Sequence, residues 1–252
     1  MDECKDLAGK IAFVSGGTKG IGLEIAVGLA ARGANVVINY FRSRDAANAA
    51  VEKIKTYGVE CYAHRANIGN HEQIPGIFEK IKENFGRLDI LISNAALGLF
   101  TNALDIDDKA WHLAMNTNAQ ALLFSVQQAA PIMPDNGRIV ALSSLGSQRY
   151  IPGYAAIGVS KAALENMVRY LAYELAPRRI AVNCVSGGFI DTDALRGFPN
   201  YDDLVREVVR RTPFGRIGRP EEVASVVIFL AGPHAGWVTG QTIIVDGGYS
   251  LA

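Results

Sequence analysis

The chain has 252 residues, of which 49% are hydrophobic, and its 25 basic side chains equal its 25 acidic ones. This length fits one α/β domain, and the balanced charge gives no indication of binding to nucleic acid or to a membrane surface. No apolar run is long enough for a membrane span, and the N-terminus lacks the basic-then-apolar order of a secretory signal. We therefore expect a cytoplasmic globular protein with no nucleic-acid or membrane partner.

The cysteines and histidines show no metal-binding pattern. Cys4, Cys61 and Cys184 are far apart in the sequence, and so are the four histidines. Structural metal sites need such residues at short, paired spacings. We therefore expect reduced thiols and no metal site.

Short apolar runs alternate with stretches of helical periodicity along the whole chain. The predicted strands are Ile11–Ser15, Asn35–Asn39, Glu60–His64, Leu88–Ser93, Arg138–Ser143, Ile180–Val185 and Thr242–Val245. The predicted helices include Gly22–Arg32, Ser43–Tyr57, His71–Phe85 and Tyr154–Leu175. Near-continuous apolar strands alternating with helices indicate a parallel sheet covered on both faces. The fold class is thus α/β, a doubly wound parallel sheet, in a single domain over residues 1–252.

One long stretch, from Gly187 to about Gly215, is predicted to be irregular. It follows the sixth strand, and ligands in parallel sheets bind beyond the carboxyl ends of the strands. We therefore predict a substrate lid at residues 187–215, in which Phe189 and Leu195 contact the substrate.

A glycine-rich turn follows the first strand directly. Gly16, Gly20 and Gly22 allow a tight turn, a close approach of the backbone to a pyrophosphate and tight helix–strand packing. The helix that begins here offers free N–H groups and the positive end of its dipole. The spacing G-x-x-x-G-x-G resembles that of the short-chain dehydrogenase/reductase family.

Further motifs resemble that family in the same order along the chain. Asn94-Ala95-Ala96 is similar to its N-A-G motif, and residues 183–192 are similar to N-x-x-x-P-G-x-x-x-T, with Gly187 in place of the proline. Residues 239–248 are similar to its C-terminal strand. The resemblance implies a Rossmann-like fold and a nicotinamide cofactor. The cofactor-binding residues that it implies are Gly16, Thr18, Lys19, Gly20, Ile21, Gly22, Asn67, Ile68, Asn94, Ala95, Lys161, Gly187, Ile190 and Thr192.

The end of the second strand favours NADPH over NADH. Enzymes that prefer NADH usually carry an acidic residue there, which binds the ribose 2′-hydroxyl. This chain has none, and Arg42, Ser43 and Lys19 are suited to binding a 2′-phosphate. The alternative is that Lys19 and Arg42 are ordinary surface charges.

The tyrosine of the expected active site is displaced. The family pattern is Tyr-x-x-x-Lys with a serine thirteen residues before the tyrosine, but four residues before Lys161 stands Ile157. Tyr154 lies seven residues before Lys161, which returns to the same helix face, about 4.5 Å further along the axis at a rise of ~1.5 Å per residue. This Tyr-x6-Lys pattern resembles the enoyl-acyl-carrier-protein reductases, most closely the NADPH-dependent third bacterial type.

The displacement has a chemical interpretation. Hydride attack on a ketone puts negative charge on the oxygen of the attacked carbon. Attack on an enoyl thioester occurs at the β-carbon, and the charge appears on the thioester oxygen, further from the nicotinamide. A donor that lies further away therefore favours reduction of an enoyl thioester, carried by acyl-carrier protein or CoA, in fatty-acid or polyketide-type biosynthesis.

The expected roles follow from the resemblance. Tyr154 donates to the thioester oxygen, Lys161 binds the ribose and favours negative charge on the phenol, Ser144 assists, and Asn118 supports a water chain. Tyr150 is a further candidate substrate contact, and Tyr150 or Ser144 could share the donor role. Two alternatives remain: a carbonyl reductase of the same superfamily, and a non-catalytic NADPH-binding module.

We expect a homotetramer. The segment from Gly240 to Ala252 is apolar and rich in glycine, and in the resembling family it packs at a subunit interface. The helices around residues 118–133 and 154–175 carry apolar residues on more than one face. These residues are Leu122, Phe124, Val126, Met167, Val168 and Leu171.

Overall fold

The computed structural model describes residues 5–198 and 200–251, which form one sheet with helices on both faces. The sheet has seven parallel strands in the order β3-β2-β1-β4-β5-β6-β7. They are β1 Ile11–Ser15, β2 Asn35–Tyr40, β3 Cys61–Arg65, β4 Ile90–Ser93, β5 Arg138–Ser144, β6 Ala181–Gly187 and β7 Thr242–Val245. The strand order changes direction between β1 and β4, so the predicted doubly wound, Rossmann-like sheet is confirmed.

The α-helices of the described residues divide between the two faces. They are α1 Gly20–Ala31, α2 Arg44–Lys55, α3 Ile74–Phe85, α4 Asp108–Ala114, α5 Ala121–Ala129, α6 Ala155–Leu175, α7 Asp193–Arg196, α8 Tyr201–Arg211 and α9 Pro220–Ala231. One core lies under α1, α2 and α9, and the other under α3, α5 and α6. Within the described ranges, no helix combines the length and the apolarity that crossing a bilayer requires.

Burial explains why the strands are apolar throughout rather than alternating. All residues of β1 and β6 are buried. A strand covered by helices on both faces presents every side chain to a core, whichever way it points. Because all seven strands are parallel, their carboxyl ends lie at one edge of the sheet.

The stretch from 187 to 215 is mostly helical, so the prediction of an irregular segment is wrong. It contains the end of β6, the single turn α7 and the eleven-residue α8. Asp202 and Asp203 begin α8 and Arg210 and Arg211 end it, an arrangement that complements the helix dipole. Val208 is the one buried residue of α8, and Leu204, Val205 and Val209 are partly buried. That this segment acts as a lid stays a prediction.

The apolar residues from which we predicted subunit contacts are mostly used inside the chain. Leu122, Val126, Val168 and Leu171 are buried in the core under α3, α5 and α6, and Phe124 and Met167 pack against it. A second apolar face on these helices was therefore a wrong interpretation. The exposed aromatic residues of α6 are instead Tyr170 and Tyr173, which are 63% and 85% exposed.

Candidate active site

The sheet edge brings most of the predicted site residues together. Ser15 ends β1, Asn94 follows β4, and Ser144 ends β5 opposite Gly187 of β6. Because the strands are parallel, these residues, which are distant in sequence, line one crevice at the reversal of strand order.

The glycine turn leaves no space for larger side chains. Gly16 and Gly20 have φ values of +65° and +53°, which side chains rarely tolerate. A Cβ at Gly22 would lie 2.3 Å from the carbonyl oxygen of Gly16. The Asn94 amide group donates to the carbonyl oxygens of Ser15 and Gly16 at 3.0 and 3.1 Å. The turn is thus a rigid backbone cradle at the start of α1, which suits a pyrophosphate.

The residues predicted to bind a 2′-phosphate already make contacts of their own. Lys19 donates to Asp193 of α7 at 2.8 Å, so it bridges the glycine turn and the 187–215 segment. The Ser43 hydroxyl accepts from the backbone N–H of Ala46 and caps α2. Arg42 is exposed beside Phe41. Only exposed, weak contacts hold Lys19 and Ser43 in these positions.

The other predicted cofactor residues shape the same rim. The Asn67 side chain accepts from the N–H of Gly69 at 3.1 Å and forms the turn after β3, next to the buried Ile68. Ile190 is buried near Gly187, and the Thr192 hydroxyl caps α7 by accepting from Leu195. These contacts hold the turn after β3 and the start of α7 in place.

Tyr154 is the residue immediately before α6, and its side chain reaches Ser144. Its ring lies on Gly146, where a Cβ would be 2.5 Å from the ring carbon Cδ1. Burial raises the pKa of Tyr154, while hydrogen bonding with Ser144 acts in the opposite direction. The phenol is therefore a protonated donor at neutral pH, held beside a second hydroxyl.

Ile157 occupies the position where the family pattern has its tyrosine. It is buried and packs on Gly98 in the loop after β4; a Cβ at Gly98 would lie 2.3 Å from Cγ1 of Ile157. Because an isoleucine side chain cannot donate a proton, Tyr154 is the candidate donor of this site.

Lys161 lies one turn further along α6 and is buried. Its Nζ donates to the carbonyl oxygen of Leu142 in β5 at 2.6 Å. Burial lowers the pKa of Lys161 to about 8, although Cys184 and Glu165 nearby favour the charged form. Its ammonium group is thus held at β5, two residues before Ser144.

Asn118 lies in a π-helical turn, Met115–Gln120, between α4 and α5. Its side-chain Oδ1 accepts from the backbone N–H of Leu97, and its side-chain Nδ2 donates to Ser160 Oγ at 2.8 Å. Asn118 therefore connects the loop after β4 to α6. Its predicted support of a water chain stays a prediction.

Sequence reasoning missed Glu165, a buried carboxylate behind the serines of β5. It is 3% exposed and accepts from Ser143 and Ser147 at 2.6 and 2.5 Å and from Gln148 at 3.3 Å. The available signal was its spacing: it lies four residues after Lys161 on the face that carries Val168 and Leu171 into the core.

Aromatic rings pack around Tyr154. Phe198 stacks on it at a centroid distance of 5.8 Å, and Phe100 lies 4.3 Å from Phe198. Phe189 contacts Phe198 and Tyr249.

Beside these rings is a cleft of about 510 Å³. Its lining includes Phe100, Thr101, Ile151, Gly153, Phe198 and Leu204. Phe100, which sequence reasoning missed, lies in the loop after β4.

The remaining predicted substrate residues differ in position. Tyr150 is 85% exposed and lines a second, smaller cleft of about 250 Å³ with Arg149 and Tyr249. Leu195 is 4% exposed, and it is absent from the described lining of both clefts. Its role as a substrate contact stays a prediction.

Comparison with known proteins matches this arrangement to one family. A family model described as "Enoyl-(Acyl carrier protein) reductase" matches residues 16–250, which include the glycine turn, Ser144, Tyr154 and Lys161. The chain belongs to the short-chain dehydrogenase/reductase family. It is therefore similar over nearly its whole length to oxidoreductases with the same doubly wound sheet.

Individual relatives of this family differ in the reactions that their names describe. The chain is 39% identical to 1-cyclohexenylcarbonyl-CoA reductase of Streptomyces collinus, over 96% of this chain and 87% of that protein. It is 35% identical to 3-oxoacyl-[acyl-carrier-protein] reductase FabG of Staphylococcus aureus, over 95% and 97%. The solved structure of angucycline C-6 ketoreductase LanV with bound NADP has 34% identity and a TM-score of 0.91, over 98% of each chain.

Proposed function

We propose that this protein reduces the 2,3-double bond of an enoyl thioester with NADPH. The observation that carries the proposal is the position of the donor. The phenol beside Ser144 comes from Tyr154, seven residues before Lys161, while Ile157 fills the usual tyrosine position. The name of the Streptomyces relative supports this proposal, since its acyl group carries a double bond conjugated to the thioester.

The residues of the crevice fit a nicotinamide dinucleotide. The glycine turn is a cradle that a Cβ at Gly22 would fill, and it lies at the start of α1. Arg42 and Lys19 would bind the 2′-phosphate, Lys19 by leaving Asp193, and no acidic residue ends β2. Bound NADP in the LanV structure supports the same choice of cofactor. When bound, NADPH supplies the hydride.

The chain's own residues supply position and electrostatics. Tyr154 donates a hydrogen bond, then a proton, to the thioester oxygen on which negative charge develops. The Ser144 hydroxyl orients the phenol and offers a second donor. Lys161, with its pKa lowered to about 8, is mostly protonated at neutral pH and stabilises the negative charge. Phe100 and Phe198 keep water from Tyr154 and contact the acyl group.

Ketone reduction is the second candidate. The side chain of Tyr154 turns back to Ser144, the serine that the family pattern pairs with a tyrosine at position 157. Two hydroxyls at one point suit the oxygen of an attacked ketone as well as that of a thioester. The names of the FabG and LanV relatives favour this candidate.

Paired substrates distinguish the two reactions. Crotonyl-CoA and acetoacetyl-CoA have the same chain length and carrier, and each is offered with NADPH and with NADH. The proposal predicts oxidation of NADPH with crotonyl-CoA that exceeds the rate with acetoacetyl-CoA. Reduction of acetoacetyl-CoA with crotonyl-CoA untouched would contradict the enoyl assignment and favour ketone reduction.

We also propose that acyl-carrier protein presents the substrate and that the protein is a homotetramer. The fully exposed Trp237, the half-exposed Phe229 and the exposed Tyr170 and Tyr173 give the chain apolar surface for subunit contacts. Turnover of acyl-carrier-protein and CoA thioesters of one acyl group tests which carrier is preferred.

A further inference from the structure

Glu165 is a buried charged group for which the proposed reaction has no direct use. Its carboxylate accepts hydrogen bonds from Ser143, Ser147 and Gln148, three residues that flank Ser144 in sequence. Burying a charge is costly unless it is paired or well hydrogen-bonded, and these contacts meet that requirement. All three donors belong to the segment that presents Ser144.

That segment carries two parts of the active site. Ser144 ends β5, and a single 3-10 turn, Leu145–Ser147, follows it. Gly146 of this turn lies under the Tyr154 ring and is packed against Gly158 of α6. Ser147 Oγ lies 2.9 Å from the carbonyl oxygen of Ser144 and 2.5 Å from Glu165, so its one proton is shared between them. Any movement of the turn moves Ser144 and the surface under Tyr154 together.

Glu165 also acts on Lys161 through its charge. It lies one helical turn after Lys161, where side chains share a face. The other group facing the ammonium is Cys184 of β6; burial raises the pKa of Cys184 to about 12, so it is a neutral thiol. Tyr154 is likewise neutral, because burial raises its pKa. Glu165 is thus the negative charge that favours protonated Lys161.

We propose that Glu165 is a positioning residue, which fixes the Ser144 turn by hydrogen bonds and stabilises the Lys161 ammonium by charge. The inference rests on the proposed roles of Ser144, Tyr154 and Lys161, and it holds for a double bond or a ketone alike. Glu165 itself touches neither substrate nor cofactor.

Two variants separate the two effects. Glu165→Gln removes the charge but keeps an oxygen that accepts from both serines, and Ser147→Ala removes one donor but keeps the charge. We expect Glu165→Gln to lower kcat about 10- to 100-fold with little change in the KM for NADPH, because the lost charge lowers the pKa of Lys161 and so affects the reacting groups rather than binding. Its alkaline pH limb moves to lower pH. Ser147→Ala lowers kcat less and leaves that limb in place.

Hydrogen exchange without cofactor or substrate gives a readout that is independent of turnover. Amides of the segment 144–148 exchange faster in Ser147→Ala, and to a smaller extent in Glu165→Gln, which loses the bond from Gln148, while those of β6 stay as in the wild type. Glu174→Gln, at an exposed position of the same helix, is the matched control and changes neither exchange nor kinetics.

The inference is overturned if Glu165→Gln keeps the wild-type kcat and pH limb, or if exchange increases throughout the protein. If Glu165→Gln does not fold, Ser147→Ala decides: unchanged exchange at 144–148 with unchanged kcat refutes the positioning role. A wild-type protein that reduces neither crotonyl-CoA nor acetoacetyl-CoA refutes the proposed function, and hydrogen exchange still tests the effect of Glu165 on the Ser144 turn.

Discussion

Replacing Tyr154 with phenylalanine removes one hydroxyl and leaves its packing in place. The ring keeps its contacts with Gly146, Phe100 and Phe198, and the hydrogen bond with Ser144 is lost. One hydrogen bond contributes about 1 kcal/mol net, so the fold and NADPH binding survive. Loss of one donor to a developing oxyanion slows turnover about 100- to 1,000-fold, which corresponds to about 3–4 kcal/mol. Ser144 stays in place as a second donor, so we expect the lower end of this range.

The assay is steady-state oxidation of NADPH with crotonyl-CoA, with thermal unfolding and NADPH titration as checks on folding. Tyr170→Phe, an exposed tyrosine on α6, is the matched control and keeps wild-type turnover. If Tyr154→Phe keeps more than about a third of the wild-type kcat, Tyr154 is not the donor. A comparable loss in Tyr150→Phe would instead assign the role, or part of it, to Tyr150.

Further results are expected. Gly22→Ala places a methyl group 2.3 Å from the Gly16 carbonyl oxygen. We expect it to weaken NADPH binding, measured by titration, about tenfold or more, which corresponds to ~1.4 kcal/mol. Unchanged affinity would show that the turn does not bind the cofactor. Activity should fall as pH rises through about 8, where Lys161 loses its proton, and a flat profile up to pH 10 would refute that role. Between pH about 8 and 10.5, Lys161 is protonated in the unfolded state but not in the folded state. Its contribution to the free energy of unfolding therefore rises with pH over this range. NADPH should bind at least about tenfold more tightly than NADH, with Arg42→Ala reducing the difference, and equal affinities in the wild type would remove the claim. Light scattering at micromolar concentration should give four times the chain mass, and a monomer would contradict the tetramer.

The fold could be predicted from the sequence because each of its signals is local. Buried parallel strands are apolar throughout, and the glycine turn identifies the first strand and the first helix. The helices α7 and α8 were missed, because α7 is a single turn, and in α8 six of the eleven residues are charged and only Val208 is buried. The sequence evidence for α8 is the helical spacing of Leu204, Val205, Val208 and Val209, together with the signs of the charges at the two ends of the helix.

The candidate site was predicted in its parts but not in its contacts. Tyr154 and Ser144 lie together as expected, although Tyr154 precedes α6, and Lys161 of α6 binds the carbonyl oxygen of Leu142, two residues before Ser144. The pairing of Lys19 with Asp193 joins residues 174 positions apart, and sequence spacing carries no information about it. Glu165 is a similar case, since a carboxylate on a helix is usually a surface residue and only the fold turns it towards Ser143 and Ser147.

Tyr154 and Lys161 sit on separate supports, although seven residues connect them. Lys161 is fixed within α6, whereas Tyr154 precedes the first helical residue and follows Gly153, whose φ is +68°. A change in the length or conformation of the short turn Ile151–Gly153 would therefore move the phenol while the ammonium stayed in place. Such a division lets evolution, or a designer, shift the proton donor along the crevice and change which oxygen it serves, with the cofactor site left intact.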